Sequence, residues 1–119
     1  MPTYEGSCHC GAVKFEIDAE FERFMRCDCS ICRRKAALIG KVHESKLHIL
    51  EGEENLTLYE WNSRAAKHYF CKTCGIHPFN RMRSAPDHYG VNMNCFDEDV
   101  IAGIPVVPVD GKSMPLVEA

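Results

Sequence analysis

Seven of the eight cysteines fall into three tight clusters. Cys8 and Cys10 lie in "GSCHCGAVKF", Cys27, Cys29 and Cys32 in "CDCSICRRK", and Cys71 and Cys74 in "FCKTCGIHPF". C-x-C and C-x-x-C spacings let one short piece of backbone offer two sulfurs to a metal ion. In a secreted chain the same residues would read as disulfides, and in a reducing compartment as metal ligands or redox thiols. Two clusters share a further detail: Gly11 follows Cys10, and Gly75 follows Cys74. Glycine lets the chain turn sharply where a side chain would obstruct it. It also leaves backbone N–H groups free to face the sulfurs, which favours the thiolate. This shared design pairs Cys8 and Cys10 with Cys71 and Cys74 in one closed structural zinc site. Metal binding there is folding energy, because it closes a long loop. A redox C-x-x-C motif is the competing reading, but no helical pattern follows Cys74 as a thioredoxin-like motif requires.

The middle cluster differs. Cys27, Cys29 and Cys32 offer three sulfurs with no glycine after them. Three protein ligands with one position left over is the arithmetic of a catalytic zinc. A thiol bound at the open position would be held as thiolate near neutral pH. A fourth protein ligand would instead close the site, and Cys95, His9, His68 and His77 are available for it. Cys95 also suits a buried strand, since cysteine behaves as a small apolar residue. Arg33, Arg34 and Lys35 follow the cluster and could attract an anionic ligand. Asp28, between two of the cysteines, is expected to be solvated.

The elements that must position these groups read as strands. Period-two alternation predicts strands at Val13–Ile17, Leu47–Leu50, Asn55–Asn62, Ala66–Phe70 and Gly90–Cys95. Helix is confined to a short turn near Cys32–Ala37. The tail "IPVVPVDGKSMPLVEA" carries three prolines, so it is at best an edge strand and an extended arm. The fold class expected is all-β, with short strands in two small antiparallel sheets. The 119 residues suit one domain, 1–119, with no linker or domain boundary. A core of that size is modest, so a metal staple would help it.

Composition narrows the function. The formal charge is −3, whereas a general nucleic-acid binder is usually basic. No apolar run approaches the ~20 residues needed to span a bilayer. The N-terminus has no basic region followed by an apolar stretch, so it does not read as a secretory signal. The expectation is a cytoplasmic protein with reduced thiols and with neither nucleic acid nor membrane as partner.

The arrangement "CHCG … CDCSICRRK … HYFCKTCGIHPF … GVNMNCFDE" resembles the glutathione-dependent formaldehyde-activating family, from about Gly6 to Glu98. In length it is more similar to the short, centromere protein V-like branch. The resemblance implies an Mss4-like fold, small antiparallel sheets stapled by zinc knuckles. It implies a structural zinc on Cys8, Cys10, Cys71 and Cys74. It implies a second zinc at an active site formed by Cys27, Cys29 and Cys32. It also implies a carbon–sulfur lyase whose reaction joins glutathione and formaldehyde as S-hydroxymethylglutathione. The function expected is therefore a zinc-dependent lyase-like protein acting on a small thiol adduct, with a thiol such as glutathione as partner. Two other readings stand beside it. A non-catalytic zinc module binding a protein or ligand would show a closed second site, or an exposed apolar patch. A thiol redox sensor would show a disulfide between Cys29 and Cys32.

Overall fold

Alternation in "KFEID" buries Phe15 and Ile17 and turns Lys14 to solvent, as a half-buried strand requires. The computed structural model describes residues 1–61 and 64–113, and the same pattern organises them into two sheets. The smaller sheet has the order β1 (Thr3–Ser7), β2 (Lys14–Asp18), β5 (Leu47–Glu51). The larger runs β10 (Val106–Val109), β3 (Phe24–Cys27), β4 (Ile39–His43), β9 (His88–Asn92), β8 (Phe79–Arg81), β7 (Lys67–Cys71), β6 (Leu56–Tyr59). All pairings are antiparallel except β10 with β3, which is parallel. Two short helices interrupt the strands, α1 (Ser30–Lys35) and α2 (Glu98–Ile101). No helix among the described residues is long and apolar enough to cross a membrane.

Directly opposed residues of paired strands project from the same face of a sheet. In the larger sheet the opposed pairs Phe79 with Val91, and Val42 with Tyr89, define the core face. Phe15, Ile17 and Leu47 of the smaller sheet pack against it. The contact is aromatic: the Phe15 ring meets Phe79 at 5.3 Å and Phe96 at 5.4 Å, both edge to face. Such pairs add attraction beyond the area they bury. The opposite face carries Met25, Cys27, Ile39, Gly90, Asn80 and His68, linked through their cross-strand partners. Only one face of the larger sheet is therefore committed to the core.

The all-β expectation with small sheets holds, and several boundaries differ. The stretch expected at Gly90–Cys95 starts earlier and stops at Asn92. There the Asn92 side chain accepts the Asn94 N–H and tightens Met93–Cys95 into a 3₁₀ turn. The strand expected over Asn55–Asn62 is Leu56–Tyr59, and Asn62 lies outside the described residues. The helical turn begins at Ser30 because the Cys29 sulfur caps it. Four strands were not expected, β1, β3, β4 and β8; each is short or lacks strict alternation. The proline-bearing tail does form an edge strand, β10, while residues 114–119 of the expected arm lie outside the described part.

Phe15 is fully buried at the junction of the sheets. Phe15→Ala is expected to destabilise the protein by about 3–5 kcal/mol, the usual cost of deleting a core phenylalanine. Urea denaturation followed by near-ultraviolet circular dichroism measures this, and a loss below about 1 kcal/mol would refute the packing described.

Candidate functional site

Two turns from different sheets build the first cysteine cluster. Cys8 and Cys10 lie on the β1–β2 turn, and Cys71 and Cys74 on the β7–β8 turn. Gly11 and Gly75 adopt matching left-handed conformations, φ 80° and 78°. Their N–H groups close the turns onto the carbonyls of Cys8 and Cys71, at 3.3 and 2.8 Å. Donors also reach the sulfurs: Val13 N–H donates to Cys8 Sγ and Asn55 Nδ2 to Cys71 Sγ, each at 3.3 Å.

The four sulfurs lie within 4.8 Å of one another. Cys8 Sγ and Cys10 Sγ are 3.6 Å apart, and Cys10 Sγ and Cys71 Sγ 3.7 Å. Sulfurs at the corners of a tetrahedron about 2.3 Å from one ion would be about 3.8 Å apart. The donor set thus fits a tetrahedral thiophilic metal. Its electrostatics agree. Burial works against the Cys71 thiolate, yet the backbone N–H groups of Cys74 and Thr73 and the neighbouring thiols outweigh it and bring Cys71 down to about 6. Cys10 has the Ala12 N–H in its favour, but desolvation and the thiols of Cys8, Cys71 and Cys74 push it up to about 11. Sulfurs this close can all be anionic only with a cation among them.

The second cluster is built differently. Cys27 ends β3, Cys29 caps α1, and Cys32 lies one turn into the helix. Cys32 N–H donates to Cys29 Sγ at 3.4 Å, and the helix closes on Ala36, left-handed at φ 51° without the aid of glycine. Sγ atoms of Cys27, Cys29 and Cys32 also lie within 4.8 Å of one another, and no fourth His, Cys, Asp or Glu among the described residues joins them. Burial raises Cys27 and Cys32. Burial also opposes the Cys29 thiolate, but the Cys32 N–H and the two neighbouring thiols outweigh it, so Cys29 lies below its ordinary value.

The candidates for a fourth ligand are otherwise engaged. Cys95 Sγ lies 3.9 Å from the His77 carbonyl and feels the charges of Cys8 and Cys74, beside the first cluster; burial pushes it up to about 12. His9 is exposed. His68 Nδ1 and His77 Nε2 both lie 3.1 Å from Lys35 Nζ. The basic run accordingly divides. Arg33 and Arg34 are exposed, with Arg34 donating to the Ser30 carbonyl, while Lys35 turns inward. Its place three residues after Cys32 on one helix is a signal the sequence carried. Asp28 is partly exposed, and it also accepts the Lys112 N–H at 2.9 Å, tying the last strand to the cluster loop.

A cavity of about 340 Å³ opens over the face of the larger sheet that does not meet the core. Cys27, Cys29 and Cys32 line it. Met25, Ile31, Ile39, Trp61, Met82 and Val109 make much of its wall apolar, and His68, Asn80, Arg83 and Lys112 add polar groups. Gly111, buried and at the same wall, was not anticipated: a Cβ there would collide with Cys27 Sγ.

Comparison with known proteins places the chain among relatives. The model of a family described as glutathione-dependent formaldehyde-activating enzyme matches residues 3–106. A Halomonas elongata protein, provisionally named a glutathione-dependent formaldehyde-activating enzyme, is 33% identical over 79 residues, 59% of this chain and 50% of that protein. The chain thus spans about half the length of that relative. An uncharacterized lyase of Schizosaccharomyces pombe is 29% identical over 94 residues, covering 77% of this chain and 67% of the other. A crystal structure of a Rhodobacter sphaeroides protein superposes with a TM-score of 0.78 at 42% identity, covering 87% of this chain and 99% of that one.

Gly111→Ala is expected to loosen the second cluster and spare the first. Metal analysis after dialysis against a mild chelator would show the variant retaining only the first cluster's metal. Equal retention by wild type and variant would contradict the close packing of Gly111 on Cys27.

Proposed function

We propose, from the premise that this chain belongs to the glutathione-dependent formaldehyde-activating enzyme family, that it is a carbon–sulfur lyase-like protein acting on a small thiol adduct such as S-hydroxymethylglutathione. Zinc is the metal we assign to both clusters, structural on Cys8, Cys10, Cys71 and Cys74, and exchangeable on Cys27, Cys29 and Cys32. The observation that carries the reading is the second cluster itself. Three sulfurs line a cavity large enough for a small molecule, and the described residues supply no fourth ligand. That openness favours the enzyme over a binding module whose second site is closed. We also take residues 1–119 as one domain of the short, centromere protein V-like kind, at work in the cytoplasm, where thiols stay reduced.

A zinc ion held there would supply the charge that keeps an incoming thiol ionised near neutral pH. Three cysteine thiolates leave such an ion with a net charge of about −1, from the formal charges of its ligands. That suits holding a nucleophilic sulfur better than polarising a carbonyl. In the forward direction the thiol sulfur bonds to the aldehyde carbon, the carbonyl electron pair moves to oxygen, and oxygen takes a proton from water. In the lyase direction the hydroxyl loses its proton and the carbon–sulfur bond breaks. The chain's own part is to hold the sulfur at Cys27, Cys29 and Cys32 and to enclose the adduct between Trp61, Met82 and Ile31.

Cobalt substitution tests this. Glutathione or another small thiol is expected to shift the absorption of cobalt at the second cluster. Cys29→Ser is expected to abolish that shift and any thiol-dependent turnover with little loss of stability. Cys74→Ser, by contrast, is expected to prevent folding. Cobalt absorption indifferent to every thiol tried would sink the enzyme reading.

A further inference from the structure

A thiolate adding to an aldehyde drives negative charge onto oxygen, and that oxygen needs a hydrogen-bond donor aimed at it. A metal surrounded by three thiolates is a weak electrophile, so the donor must come from the chain. The geometry points to His68, locked by Lys35 as its Nε2–H tautomer, as the residue that hydrogen-bonds the adduct's oxygen in the cavity beside Cys27, Cys29 and Cys32. This inference rests on the thiol-adduct reading and adds a specificity-determining residue to it.

Three contacts give the direction of each hydrogen bond around a protonated Lys35. His77 Nδ1 lies 2.8 Å from the Tyr69 carbonyl, which can only accept, so His77 carries its proton on Nδ1. Its Nε2 is then an acceptor, and Lys35 Nζ donates to it at 3.1 Å. Burial lowers Lys35, but the sulfur charges of Cys32, Cys29 and Cys27 act to keep it protonated. As an ammonium it has only protons to give, so His68 Nδ1, also 3.1 Å from Lys35 Nζ, accepts as well. A neutral His68 with Nδ1 occupied holds its proton on Nε2. Burial and the nearby ammonium keep both rings neutral, taking His68 down to about 4 and His77 to about 3.

Placement completes the argument. His68 is 5% exposed and stands in the cavity wall; Lys35, among the described residues, does not line it. The ring therefore turns its Nδ1 edge to Lys35 and leaves the Nε2 edge for the cavity. A cation behind an imidazole polarises it and strengthens the opposite N–H as a donor. Lys35 is thus a positioning residue, held in turn by His77. His68 keeps its proton throughout, and the oxygen's own proton comes from water.

The test compares S-hydroxymethylglutathione, in equilibrium with formaldehyde and glutathione, with the near-isosteric S-ethylglutathione, whose methyl replaces the hydroxyl. Fluorescence of the single tryptophan, Trp61 in the cavity wall, reports binding to the metal-loaded protein. Wild type is expected to favour the hydroxymethyl adduct by about 3- to 10-fold, the contribution of one hydrogen bond. His68→Phe should abolish that preference and leave S-ethylglutathione binding unchanged. Lys35→Met should weaken the preference, and Lys35→Arg should restore it. A preference that survives in His68→Phe, or that is missing from wild type while both ligands bind, overturns the assignment and leaves the glutathione reading standing. Binding of neither ligand overturns the glutathione reading, and the role of His68 with it. Nitrogen-15 NMR of His68 in wild type decides independently of any variant's folding: Nε2–H is expected, and Nδ1–H would refute the inference.

Discussion

Four sulfurs drawn to contact distance from two separate sheets are the constraint on which this structure turns. The β1–β2 turn belongs to the smaller sheet and the β7–β8 turn to the larger. At that end the sheets are also joined by the connection from β5 to β6, where Gly52 packs on Ala12 and Asn55 donates to Cys71 and Thr73, and by a small apolar group around Val13, Cys8 and Cys71. Thiols packed this way compete for the same few donors, which is why Cys10 and Cys71 are pushed in opposite directions. A cation would remove that competition and convert it into cohesion. Much of the aromatic core between Phe15 and Phe79 then serves to align two sheets already tied at one end.

With one face of the larger sheet spent on that core, the other is free for chemistry. The second cluster, the cavity and the Lys35–His68–His77 chain all lie on or beside it. Each depends on a different local device: a capping sulfur at Cys29, an unsubstituted position at Gly111, and a lysine sharing a helix turn with Cys32. The first cluster is built from two glycine turns with matched geometry, and the second from a helix start, a strand end and a strand contributed late in the sequence. A four-sulfur cluster and a three-sulfur cluster facing a cavity follow from those two constructions.

The sequence carried the cysteine clusters and their pairing in plain view, because spacing within a turn is local and glycine marks the turn. Strands with apolar alternation, such as "KFEID" and "LHILE", were equally legible. What could not be read was set by distant contacts. "TYEGS" forms β1 only because β2 offers it a partner, and "FNR" is too short to show a period. Cys95 looked free for the second cluster, but a 3₁₀ turn carries it to the first. Arg33, Arg34 and Lys35 read as one basic patch, until burial separates the third from the other two. His68 was visible as a residue, while its partner thirty-three positions away was not.

The parallel edge strand β10 has a consequence for assembly. Its residues are exposed, and backbone hydrogen bonding holds it to β3, with Phe24 N–H reaching Pro105, Asp28 N–H reaching Val109 and Lys112 N–H reaching Asp28. Yet it delivers Gly111 to Cys27. The three sulfurs of the second cluster lie within six residues of one another, yet the surface packed on Cys27 is supplied by the far end of the chain, through a strand held at an exposed sheet edge.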